Sequence, residues 1–209
     1  MFSFLEGITY RLPAIVLALT VHEFSHAYAA YLLGDPTARN QGRLSLNPLV
    51  HLDPIGFVCL LFFRFGWAKP VPFNPYNFDS VDEKTGGLLT ALAGPMSNIL
   101  MCFIAVGIFI LTPARVIFRY AFIYGFLNYF IWINASLAFF NLIPVPPLDG
   151  SKILFGILPD RLYYLSHTLE RYGFLFLMLL LWSSIPSVII SPLTRGLVTS
   201  FSHFFRIFL

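Results

Sequence analysis

The sequence predicts an all-α polytopic membrane protein with about four transmembrane helices and a re-entrant hairpin between the first and second. Three observations carry this prediction. Hydrophobic residues make up 57% of the 209-residue chain and charged residues 11%, where soluble chains carry about 25% charged. Mean hydropathy is +0.76. The apolar residues also gather into runs long enough to cross a bilayer, which takes about 20 residues of helix. The net charge of +3 is scattered, without the basic cluster that nucleic acid or an anionic lipid surface requires. The lipid bilayer is therefore the expected surrounding, and nucleic acid is not an expected partner.

The first apolar run, 8–33, reads as a spanning helix. A secretory signal competes for the same residues, with Arg11 closing a basic region and Ala27-Tyr28-Ala29 imitating a cleavage site. His22-Glu23 interrupts the run just before that site, which favours a retained helix. Next comes a connection rich in proline and glycine, "GDPTARNQGRLSLNPLVHLDP" and "GWAKPVPFNPYNFDSVDEKTGG", whose turn residues mark a solvated loop folded against the membrane. Inside it, "HLDPIGFVCLLFFRFG" (51–66) is apolar but too short to span. Pro54, Gly56 and its aromatic, β-branched content suggest a re-entrant or interfacial piece, an extended hairpin being one form of it.

Three further runs, 88–111, 120–142 and 173–190, complete the expected spans. The tail after Pro192 is expected to lie along the interface. The motif-bearing core covers about 12–155 and the C-terminal helix and tail 173–209, within a single membrane-embedded domain, 1–209. The two cysteines, Cys59 and Cys102, sit in apolar surroundings and read as packing residues. Eight basic residues fall in the connections between the first and second and the third and fourth spans (Arg39, Arg43, Arg64, Lys69, Lys84, Lys152, Arg161, Arg171). Five lie on the other side (Arg11, Arg115, Arg119, Arg195, Arg206). The bias puts the main loops in the cytoplasm and the N-terminus outside.

Chemistry concentrates in "HEFSH", residues 22–26. On a helix His22 and His26 are one turn apart and project from the same face. That spacing lets two imidazole nitrogens reach one zinc ion at about 2.0–2.1 Å each. Glu23 follows the first histidine and can act as general base, the logic of the H-E-x-x-H pattern. At membrane depth each ionisable group costs about 2.5–3.5 kcal/mol, so three of them in five residues call for a compensating partner, and a metal is the economical one. A catalytic zinc site normally has three protein ligands. His51, His167 and His203 are candidates for the third, as is Asp149 in "NLIPVPPLDGSK" (141–152). Helix-breaking prolines before Asp149 allow it to turn into a buried cavity. An ordinary Asp-Gly turn outside the membrane fits the same residues.

With "HEFSH" and "NLIPVPPLDGSK", the segments "GRLSLNPLVHLDPIG" (42–56), "WAKPVPFNP" (67–75) and "AGPMSN" (93–98) resemble the site-2 protease family of intramembrane zinc metalloproteases. They stand in the expected order. The resemblance implies that Asp149 is the third ligand to one zinc ion and that Asn141 helps to stabilise the reaction. It also implies a membrane-embedded hairpin near 51–66 that presents a transmembrane-helix substrate. The chain resembles the small branch lacking PDZ or CBS modules, most familiar from bacterial and archaeal plasma membranes. Residues after Phe155 carry no matching motif.

On this reading Glu23 relays a proton and the Asn141 side-chain amide donates to the oxyanion. Asn134, seven residues earlier on the same face, is expected to bridge helices; Asn98 either lines the cavity or, the favoured reading, satisfies backbone freed by Pro95. The main rival is a metal transporter or metal-binding membrane protein using His22, His26 and Asp149. A haem carrier is weaker, since the other spanning runs lack matching histidines.

Overall fold

In a computed structural model, residues 2–63, 66–159, 161 and 164–209 are described, with side chains for 8–60, 66–159, 161, 166 and 169–209. The helices, in chain order, are α1 (Phe2–Leu32), α2 (Thr37–Asn40), α3 (Pro54–Phe63), α4 (Glu83–Leu111), α5 (Ala114–Ile117), α6 (Ala121–Asn141), α7 (Asp149–Ile157), α8 (Tyr164–Trp182) and α9 (Ile185–Arg206). Among the described residues there is no β-strand, only an isolated antiparallel bridge between Leu52 and Ala68.

Two helices, α4 and α6, are long and apolar enough to cross a membrane, and α8 and α9 together form a third candidate bent by 75°. At 31 residues α1 has the length. His22, Glu23 and His26 dilute its apolar character. Small residues bring α1 close to its neighbours: Ala14 and Ala18 pack against Cys102, Ala105 and Val106 of α4 and Phe130, Ile131 and Ala135 of α6. Close backbone approach through small side chains is how helices associate where lipid removes the hydrophobic incentive. Cys102 is fully buried in this cluster as a packing residue.

Three expectations are modified. The second span starts at Glu83, not at 88, because Asp82 caps it by accepting from the Lys84 and Thr85 N–H groups, the usual device at a helix start. Residues 54–63 form a short helix rather than an extended hairpin, with the Leu52–Ala68 bridge at its base. Arg64 and Phe65, near the end of the expected hairpin segment, lie outside the described residues. At the C-terminus the chain breaks at Ser183–Ser184, before Pro186, and not after 190. The segment expected as a separate tail belongs to α9, a 22-residue helix that packs on α4 and α6. A proline in the first turn of a helix forfeits no bond, so the serines and Pro186 make 185 a better start than an interior position.

The loop between α1 and α4 is stapled by Asp35, which is fully buried. Its Oδ1 accepts from the Thr37 N–H (3.1 Å), the Thr37 hydroxyl (2.5 Å) and Asn77 Nδ2 (2.7 Å). Its Oδ2 accepts from the Asn74 N–H at 2.7 Å. A short stretch after the first helix is thereby tied to one some forty residues on. The chain from 66 to 74 is drawn back across the face of α1.

Candidate metal centre

One turn of α1 presents His22 and His26, and the N-terminus of α7 presents Asp149. All three are buried, at 4%, 8% and 8% exposure. His26 Nε2 lies 3.1 Å from His22 Nε2 and 3.1 Å from Asp149 Oδ2, and His22 Nε2 lies 3.2 Å from the same oxygen. The turn that brings Asp149 inward requires Gly150: a Cβ there would sit 2.3 Å from the Leu142 carbonyl oxygen and 2.4 Å from that of Ile143. Of the two readings of the Asp-Gly pair, the buried one holds.

The remaining ring nitrogens decide which atoms face the cluster. His26 Nδ1 is 2.7 Å from the Thr90 carbonyl oxygen. A carbonyl only accepts, so Nδ1 carries the proton and Nε2 of the neutral ring turns its lone pair to Asp149 and His22. His22 Nδ1 is 2.7 Å from Asn98 Oδ1, with the same consequence. Three acceptor atoms thus converge on one point, an arrangement that is repulsive unless a cation sits among them. Ligands at 2.0–2.1 Å in a tetrahedron lie roughly 3.3 Å from one another. The observed 3.1–3.2 Å separations suit that geometry, and the donor set of two imidazoles and one carboxylate suits zinc.

The cradle around the rings is equally specific. Gly94 of α4 faces them, and a Cβ there would lie 2.4 Å from His26 Nε2 and 2.5 Å from His22 Cε1. Glu23, also buried, stands outside the triad. Its Oε2 accepts from the Val71 N–H at 3.1 Å. The strip carrying Val71 is held by buried Arg43, whose Nη2 donates to the Lys69 carbonyl at 2.6 Å and that of Pro70 at 3.2 Å. Lys69 N–H donates in turn to the His51 carbonyl.

Other sequence candidates fall elsewhere. The Nε2 of His51 meets the Ser45 carbonyl oxygen at 2.7 Å, inside the loop. His203 is exposed in the last turn of α9, and the His167 side chain lies outside the described residues. Asn141 turns its Nδ2 back onto the Leu137 carbonyl at 3.0 Å and makes no hydrogen bond to the cluster. Asn134 bridges α6 to α4 through Asn98 at 2.9 Å, as expected of it. Asn98 departs from the favoured expectation: it serves a histidine on another helix, not the backbone freed by Pro95. Its signal lay in "AGPMSN", where an asparagine one turn past Gly94 shares the face that meets α1. The Thr90 carbonyl has no side-chain signature at all.

Helices packed around a buried His/His/Asp cluster, with a glutamate beside it, make a site that can hold zinc, and the relatives below identify its class as a membrane metalloprotease. The chain belongs to peptidase family M50, the site-2 protease family. The profile of that family, "Peptidase family M50", matches residues 113–182. The chain is 38% identical over 196 residues to "Putative zinc metalloprotease YwhC" of Bacillus subtilis, covering 92% of this chain and 89% of that one. It is 31% identical to "Putative zinc metalloprotease MJ0611" of Methanocaldococcus jannaschii, over 68% of each. Against "Stage IV sporulation protein FB" of Bacillus subtilis identity is 30%, over 80% of this chain and 57% of that longer protein. No solved structure matches the chain significantly.

Proposed function

We propose that this protein hydrolyses peptide bonds in or near transmembrane helices of membrane-protein substrates, with His22, His26 and Asp149 holding one zinc ion and Glu23 as general base. The observation that carries this reading is the convergence of His22 Nε2, His26 Nε2 and Asp149 Oδ2 within hydrogen-bonding distance of one another, the two histidines lying on the turn of α1 that also carries Glu23. A zinc ion bound by these atoms supplies Lewis acidity, polarising the scissile carbonyl and acidifying water. Glu23 accepts the proton of the attacking water and delivers it to the leaving amine. The Val71 N–H aligns the Glu23 carboxylate for both transfers. Asn141 donates its Nδ2 to the developing oxyanion, releasing the Leu137 carbonyl as substrate binds.

Four crossings fit the chain: α1, α4, α6 and the bent α8–α9 pair, with α3 as a re-entrant piece between the first two. The basic residues favour an external N-terminus and cytoplasmic loops in a bacterial or archaeal plasma membrane.

The test is Glu23→Gln in purified, reconstituted protein, assayed for zinc content and for cleavage of a helical membrane substrate. Zinc should be retained and cleavage should fall by about 10²–10⁴-fold, the usual contribution of a positioned acid–base group. Unchanged cleavage would refute the assignment of Glu23. Zinc transport into proteoliposomes surviving in the variant, without hydrolysis by the wild type, would establish a transporter instead.

A further inference from the structure

A single hydrogen-bonded chain runs through three helices and ends on His22. It begins at Asn134 of α6, fully buried, whose Nδ2 donates to the Phe130 carbonyl at 2.8 Å. That bond leaves Asn134 Oδ1 as an acceptor, and it takes Asn98 Nδ2 at 2.9 Å. The same Asn98 nitrogen lies 3.4 Å from the Ala18 carbonyl of α1. The Asn98 amide is thus fixed, because flipping it would set its oxygen against two other oxygens. Flipping would also aim its NH₂ at His22 Nδ1, driving the ring proton onto Nε2, where a metal could not bind.

We infer that Asn134 is a positioning residue for the metal: through Asn98 it holds His22 in the one neutral tautomer whose Nε2 lone pair faces Asp149 and His26. The inference rests on the reading of His22 as a zinc ligand. Histidine ligands generally depend on the group that receives their second ring N–H, and losing such support costs about 10–100-fold in metal affinity. Here the receiving group itself needs Asn134 to be oriented. A bridging amide that served only to join α4 and α6 would stabilise the bundle and leave the metal indifferent.

The full-length chain in detergent separates these roles by chelator-competition zinc affinity, read beside the melting midpoint without zinc. Asn134→Leu should bind zinc about 10–100-fold more weakly than wild type. Asn134→Asp in its protonated form keeps both the donor to the Phe130 carbonyl and the acceptor oxygen towards Asn98 Nδ2 and should restore affinity close to wild type. Combining Asn134→Leu with Asn98→Leu should weaken binding no further than Asn98→Leu alone, since both act through one contact chain. If Asn134→Leu does not melt cooperatively, Asn134→Ala carries the same expectation. Wild-type affinity in a folded Leu or Ala variant, or an Asp variant as weak as Leu, would overturn the inference. His22→Ala controls the underlying reading: zinc binding equal to wild type there would show that His22 is no ligand, whatever Asn134 does.

Discussion

Gly94 is the residue at which packing and chemistry meet. It faces both imidazoles so closely that a methyl group would fall 2.4 Å from His26 Nε2. Gly94→Ala should therefore displace the rings, weaken zinc binding and lower stability by about 1–3 kcal/mol, the usual cost of overpacking. Gly87, on the same helix, has open space where its Cβ would stand. Gly87→Ala should be neutral or slightly stabilising, since alanine is the better helix former. Zinc titration and thermal melts of the two variants check this, and equal behaviour would contradict it. At this scale the sequence was most informative where geometry is local. His22 and His26 are legible because i, i+4 fixes their face. Asp149 is 123 residues from His26, and the residues alone left it between two readings until the family resemblance chose one. Of the two readings of Asn98 the favoured one failed, because Pro95, three residues away, offered a nearby demand for an amide, whereas its actual partners come from α1 and α6.

Among the elements, the loop between α1 and α4 determines how the protein responds to acid. Burial disfavours ionisation of Asp35, but hydrogen bonds from the Thr37 and Asn77 side chains and from the Asn74 and Thr37 N–H groups outweigh it and hold the carboxyl below its usual range. A carboxylate whose pKa is lower folded than unfolded contributes stability above the unfolded value, and loses it as pH falls through the folded one. The unfolded value is about 3.9, so the staple is at full strength near neutrality and weakens below about pH 4. Asp35→Asn should lower the melting midpoint at pH 7 and flatten its acid dependence below pH 4. Melts at both pH values test this, and parallel acid dependence in wild type and variant would contradict it. The helices themselves were largely legible, since apolar runs dictate α4 and α6. The 54–63 segment was not, because a short apolar run satisfies strand and helix patterns alike. The break before α9 was missed because apolar residues flank it on both sides.

The whole molecule is organised so that α1, which carries His22, Glu23 and His26, lies against α4 and α6, and these three ionisable residues are buried in protein. This satisfies the general requirement that charged groups within a bilayer face a protein interior. The proposed orientation predicts that, in a variant with Cys59 and Cys102 replaced, a cysteine at Lys84 is labelled by an impermeant maleimide only from the cytoplasmic side. A cysteine at Arg115 should be labelled only from outside. Labelling of both from one side would overturn the topology. The centre itself is tested most directly by elemental analysis of purified wild type beside Asp149→Ala. The account predicts one zinc ion per wild-type chain and its loss from a variant that still melts cooperatively. Undiminished zinc in Asp149→Ala would contradict it.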